Sequence, residues 1–203
     1  MPGTGPAFFF DPSCPFSYLA AERVERLLGE VDWVPTAAGS LRSGDPFQHV
    51  PLHDALDNDP VEVTKLVMAR AEDQARLLRL PLVWPDRFPA GSASALRAAA
   101  YAAESGVGAQ FALAASRLAF CGGFDLEDRS VLADAAAAAG LPVDRSLAAA
   151  ADARLDRPIH ATARGLAARG VESLPAIRIG RNLLSGERML DEALPLLRST
   201  AVK

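Results

Sequence analysis

The strongest constraint on the fold lies in the first thirty residues. Ala7-Phe8-Phe9-Phe10 is a short apolar, aromatic run closed abruptly by Asp11-Pro12, the pattern of a buried strand. From Ser17 onward Leu19, Ala20, Val24, Leu27 and Leu28 recur at helical spacing, with Glu22, Arg23, Glu25 and Arg26 between them, and Gly29 stops the run. Cys14 therefore falls between the end of a strand and the first turn of a helix. There it meets the positive end of the helix dipole and unpaired N–H groups, which favour a thiolate and predict a pKa below the free value of about 8.5. Pro15 in the first turn costs no hydrogen bond and presets the backbone angle. The alternative is a cysteine that is simply a small buried hydrophobe.

The rest of the chain divides by pattern. Val31 to Pro35, around Trp33, reads as a second strand, and a turn-rich stretch from Gly39 to Pro60 follows it, carrying His49 and His53. Beyond Pro60 the strand signal vanishes. Val61 to Leu80, Ser94 to Glu104, Gln110 to Phe120, Glu127 to Ala139 and Asp144 to Ala151 all read as helices rich in Ala, Leu and Arg. Pro158 to Arg169 gives one more helix, which Gly170 ends. The tail then changes: Ala176 to Ile179 alternates as a strand, Gly180-Arg181-Asn182 is a turn, Leu183-Leu184 a short strand, and Glu187 to Arg198 a last helix that Pro195 is expected to kink or shorten. This order predicts an α/β domain, residues 1–59 and 158–203, with an all-helical insertion over residues 60–157 packed above the Cys14 end.

Composition narrows the function. Half of the 203 residues are hydrophobic, 23% are charged and the net charge is -4, so no global basic field draws the chain to nucleic acid. The start lacks a basic segment, and its apolar run is too short for a signal peptide or a membrane span, which points to the cytoplasm. Two cysteines and three histidines without ligand spacing argue against a structural disulfide and against a metal site.

Ser17 stands where a two-cysteine redox motif would carry its resolving thiol, so Cys14 has no partner within its own motif. The Ser17 hydroxyl is placed either to hydrogen-bond the Cys14 sulfur or to satisfy a first-turn N–H. Pro175 directly precedes the strand at Ala176. Cys121 ends an apolar helix before Gly122-Gly123 and reads as a core or helix-end residue. His49, His53 and His160 are weaker candidates for proton transfer, lacking a fixed partner in the sequence. Arg178, Arg181 and Arg188 read as solvated surface.

Phe8-Phe-Phe-Asp-Pro-Ser-Cys-Pro-Phe-Ser-Tyr-Leu-Ala20, Trp33-Val-Pro35, Arg87-Phe-Pro89 and Gly170-Val-Glu-Ser-Leu-Pro-Ala-Ile-Arg-Ile-Gly180 together resemble the DsbA-like thioredoxin superfamily, which implies an α/β thioredoxin-like fold with the all-helical domain inserted in it. Within it they are most similar to the 2-hydroxychromene-2-carboxylate isomerases and kappa-class glutathione transferases. The resemblance implies that Cys14 approaches the sulfur of a bound low-molecular-weight thiol. It also implies that Pro175 is the superfamily's cis-proline, with Leu174 offering backbone groups to the thiol. Ser185, Gly186 and Glu187 match the segment that holds the thiol's carboxylate end, and Lys65 matches an insertion lysine that contacts glutathione. The implied cofactor is glutathione or another such thiol; the Ala- and Arg-rich composition would also suit mycothiol. The implied partners are this thiol and a small-molecule substrate, with a homodimeric assembly as in relatives.

Two departures matter: those isomerases and transferases usually carry serine where this chain has Cys14, and DsbA-type oxidoreductases carry cysteine where it has Ser17. Three functions therefore stand side by side. One is a thiol-dependent isomerase or transferase acting on a small aromatic or hydrophobic carboxylate. The second is a monothiol thiol-disulfide oxidoreductase using Cys14. The third is a non-catalytic binding module.

Overall fold

The computed structural model describes residues 5–41 and 60–200, and His49 and His53 lie outside them. Strand β1 (Ala7–Phe10) is buried along its whole length, as its unbroken apolar run requires. It leads into helix α1 (Pro15–Leu28), strand β2 (Asp32–Pro35) and a single 3-10 turn at Ala38–Ser40, which occupies the opening of the stretch read as loop. Helices α2 (Pro60–Leu78), α3 (Ala93–Glu104), α4 (Gly108–Phe120), α5 (Arg129–Ala138) and α6 (Val143–Ala150) follow, then α7 (Asp156–Ala167). Strands β3 (Ala176–Ile179) and β4 (Asn182–Ser185) and helix α8 (Met189–Thr200) complete the described chain.

The strands form one sheet in the order β2-β1-β3-β4. β1 runs parallel to β2, with Phe8 opposite Trp33, and antiparallel to β3, with Phe8 opposite Ile177. β3 and β4 pair as a hairpin through Ile177 and Leu184. On one face the rings of Phe8 and Phe10 meet Trp33 edge-on, at centroid distances of 4.9 and 5.5 Å. Such contacts add about 0.5–1.5 kcal/mol each beyond the area they bury.

The alanine-rich helices pack onto that face. Ala95, Ala98, Ala99 and Ala102 of α3 share a core with Ala112 and Ala115 of α4 and Ala135 and Ala136 of α5. Small residues at these contacts let helix axes approach closely, which is why so much alanine builds a core here instead of a disordered tract.

The opposite face carries a second core, in which Cys14 and Phe16 pack with Val63, Val67 and Ala71 of α2 and with Leu166, Leu174 and Ala176. Helix α2 thus lies over the Cys14 end of the sheet. Helix α8 begins later than its sequence suggests and runs through Pro195 instead of breaking there. Its own Met189, Leu190 and Ala193 are buried against the rest of the core, and tertiary packing of that kind outweighs one lost backbone bond. Among the described residues no helix is long and apolar enough to cross a membrane.

Candidate functional site

Cys14 is the N-cap of α1. Its backbone N–H donates to Asp11 O at 3.0 Å, and its sulfur accepts from the Ser17 N–H at 3.4 Å, so the cysteine caps the helix that follows it. The thiol in turn donates to Leu174 O, 3.8 Å away. The Leu174–Pro175 peptide bond is cis, as is Phe88–Pro89. The β1–α1 corner and the β3 entry are therefore joined through the cysteine sulfur.

The electrostatics differ from the sequence expectation. Cys14 has no exposed surface, and burial pushes its thiol up to about 12, opposed only in part by the Ser17 hydroxyl and N–H. The dipole argument counted the donors at the helix start but not the loss of water, which penalises a thiolate more than two donors repay. In this state Cys14 is a neutral thiol. Cys121 lies on the other core, exposed at the end of α4, with its sulfur 3.2 Å from the Tyr18 hydroxyl.

Asp11, which sequence reading took only as the end of a strand, is the hub of the corner. Its carboxyl is 2% exposed. One oxygen accepts from Ser13 N at 3.0 Å and Ser13 Oγ at 2.8 Å; the other accepts from Ala38 N and Ser92 Oγ, both at 3.2 Å. Burial raises its pKa, and these four donors work against that rise. Asp11 thereby ties the Cys14 loop to the 3-10 turn and to the start of α3. An Asp two residues before a Ser is a local turn signal, but nothing local announces the bonds to Ala38 and Ser92.

Two clefts flank the corner. The first, of about 340 Å³, is lined by Leu174, Ser185, Gly186, Glu187 and Arg188 together with Arg70 of α2, Glu172 and Glu192. Ser185, Gly186, Glu187 and Leu174 are thus brought together. Their geometry is not that of a free helix terminus, however. Gly186 N–H is spent on Pro175 O at 2.8 Å, and α8 starts at Met189. Lys65 points elsewhere: it is 66% exposed and pairs with Glu62 at 2.8 Å. The cation that reaches the cleft from α2 is Arg70, 2.8 Å from Glu187, while Gln74 donates to Glu187 O at 3.1 Å. Sequence reading missed Arg70 because its partner lies more than a hundred residues away.

The second cleft, of about 450 Å³, opens on the other side of the corner, between Asp11, Ser13, Ser92 and Leu96 and the start of α7 with Asp156 and His160. Arg97 grips Asp156 with two nitrogens at 2.7 Å each and holds its carboxyl below the usual range. A narrower apolar slot walled by Phe88, Phe120, Phe124 and Leu126 shares Ser13, Ala90 and Gly91 with this cleft. Cys14 thus stands between the clefts, reaching the first through Leu174 and the second through its neighbour Ser13.

A helix-capping cysteine beside an X-cis-Pro corner, on a four-stranded sheet with helices stacked over it, defines a thioredoxin-fold protein of the DsbA type. The sequence matches the model of the DSBA-like thioredoxin domain over residues 7–197, and the chain belongs to that family. Among solved structures it is similar to a 2-hydroxychromene-2-carboxylate isomerase, at 19% identity over 97% of both chains with a TM-score of 0.76. It is also similar to the cytosolic disulfide reductase DsbM from Pseudomonas aeruginosa, at 22% identity over 97% of this chain and 98% of that one with a TM-score of 0.66. The DsbM structure with GSH matches at 21% identity over 98% and 100% of the two chains, again with a TM-score of 0.66. No curated protein matches the sequence.

Proposed function

We propose that this protein is a cytoplasmic enzyme that uses a low-molecular-weight thiol, glutathione or a counterpart such as mycothiol, to isomerise or conjugate a small aromatic or hydrophobic carboxylate. The observation that carries this reading is the state of Cys14: a buried, protonated thiol, with Ser17 in place of a second cysteine, hydrogen-bonded to Leu174, which lines a polar cleft. The thiol's charged end sits among Arg70, Ser185, Glu187 and Arg188, with its cysteine portion along Leu174–Pro175. Its sulfur then comes to Cys14. The thiol's own proton passes to solvent, and Cys14 S–H turns from Leu174 O to donate to the resulting thiolate and hold it in place. That thiolate adds to an electrophilic carbon presented from the second cleft, where Pro89, Leu96 and Ile159 offer apolar surface to the substrate's body.

A second reading has its own support, since a cysteine is itself a potential nucleophile and the chain is similar in fold to the disulfide reductase DsbM. In that case Cys14 attacks a disulfide, one half leaves as thiolate, and a second thiol attacks the mixed disulfide to return free Cys14 and a new disulfide. Cys14→Ser separates the two. A hydroxyl still donates to a bound thiolate, so the isomerase or transferase reading expects Cys14→Ser to keep turnover where Cys14→Ala loses it. Equal loss in both variants, with a stable glutathione adduct on Cys14 after incubation with oxidised glutathione, would transfer the function to the oxidoreductase.

A further inference from the structure

His160 is among the weaker sequence candidates, read as a structural helix residue more readily than as a site residue. The structure supplies it with a partner. Its Nδ1 lies 2.5 Å from Ser40 Oγ, on the 3-10 turn that Asp11 anchors through Ala38 N–H. Four residues earlier on α7, Asp156 lines the same cleft with both oxygens occupied by Arg97. The Ser13 and Ser92 hydroxyl protons are likewise committed to Asp11. Of the polar side chains lining the cleft, and among the described residues, His160 thus has a ring nitrogen, Nε2, left to exchange a proton with a ligand once Nδ1 is engaged by Ser40. The cleft itself, at about 450 Å³, falls within the range of small-molecule sites, roughly 300–1,000 Å³.

We infer that His160 is the proton-transfer residue for the second substrate, with Ser40 as its positioning residue, and that this substrate presents a carbonyl oxygen to Nε2 while its apolar body lies against Pro89, Leu96 and Ile159 of the same cleft. The inference rests on the thiol reading for the identity of the attacking group. The step balances without any redox change. The bound thiolate forms a C–S bond to the β-carbon of an unsaturated carbonyl, the C=C pair shifts, and the carbonyl pair moves onto oxygen. That oxygen takes the Nε2 proton of the imidazolium to give an enol, leaving His160 neutral with Nδ1–H on Ser40 Oγ. Rotation about the former double bond followed by the reverse sequence gives the isomer and regenerates imidazolium and thiolate. Protonation of the enol carbon by water, with the enol proton returning to His160, gives the conjugate instead.

The test uses trans-4-phenylbut-3-en-2-one as the probe electrophile with glutathione, and follows loss of enone absorbance. His160→Ala and His160→Gln are expected to lower kcat about a hundredfold, within the range for a positioned acid–base group. Glutathione affinity by calorimetry should not change. Added imidazole should restore His160→Ala at least tenfold, which a merely structural role would not allow, and Ser40→Ala should lower kcat by about tenfold at unchanged affinity, the cost of one lost orienting bond. Retention of more than a third of kcat in both His160 variants, or a loss that imidazole does not rescue, overturns the inference. A wild-type protein that binds glutathione but does not turn the probe over also overturns it. Nitrogen-15 spectra of the imidazoles, with His160 assigned by its loss in His160→Gln, are recorded on adding the enone without thiol. If calorimetry shows no glutathione binding, the thiol reading has failed by itself; a shift of the His160 signal then still supports the cleft, and an unmoved signal removes it.

Discussion

The state of Cys14 can be measured by its reactivity. Its thiol has no exposed surface and is pushed from an ordinary value of 9.0 up to about 12, with burial as the leading cause. Alkylation follows the thiolate, so over that interval the reactive population at neutral pH falls about a thousandfold. The assay is iodoacetamide labelling of the native protein, read peptide by peptide by mass spectrometry, with the urea-unfolded chain as reference. Exposed Cys121 serves as an internal control. Cys14 should label about a thousand times more slowly than in the unfolded chain, and its log rate should climb with pH without a plateau until about pH 11. The same gap has a consequence for stability. Below 9.0 the thiol is protonated folded and unfolded alike; between 9.0 and about 12 only the unfolded chain ionises, so stability falls as pH rises through that window. A native Cys14 that labels within tenfold of the unfolded rate at neutral pH, or that levels off near pH 8.5, would show that the helix terminus outweighs burial. Cys14 would then be an activated nucleophile, and the oxidoreductase reading would gain what the isomerase reading loses.

Arg70→Ala and Glu187→Gln should each weaken glutathione binding roughly tenfold, the cost of one charge-assisted contact, whereas Lys65→Ala should stay within about twofold by calorimetry. Arg97→Ala should cost about 1–3 kcal/mol in urea denaturation at neutral pH by leaving Asp156 without its fork. Because Arg97 holds the Asp156 carboxyl low, that stabilisation is present above the ordinary carboxylate pKa and is lost as pH falls through the depressed folded value, so wild type and variant should converge in acid. Gly122→Ala places a Cβ 2.5 Å from the Phe124 ring and 2.8 Å from Leu118 O. The ring can swing, but the carbonyl belongs to the helix end, so thermal unfolding should show a loss of about 1–3 kcal/mol.

What could be read from the sequence was what depends on neighbours in the chain. The Phe8–Phe10 run, the α1 periodicity and the Cys14 cap are settled by adjacent residues, and all three stand in the structure. So do the helix order through the alanine-rich block and the hairpin after Pro175. What could not be read depends on who sits opposite whom after folding. Pro195 looks like a breaker until Met189 and Leu190 of the same helix are seen buried in the core. Arg70 looks like any surface arginine until α2 carries it to Glu187.

The Cys14 thiol is the sharpest instance, because its two determinants lie on different scales. The donors at the helix start are local, and sequence reading found them. The water they must compete with is removed by Val63, Val67 and Leu174, which come from helix α2 and the chain before β3. Helix α2 thus does two things at once: it closes over the cysteine and keeps it protonated, and it delivers Arg70 to the cleft beside it. A ligand thiol that enters along Leu174 therefore meets a neutral donor at its sulfur and a charged pair at its far end. Under the proposed thiol reading, such an arrangement would leave the negative charge on the ligand's sulfur and not on the protein's, and this is the physical reason to expect the protein to activate a bound thiol instead of spending its own.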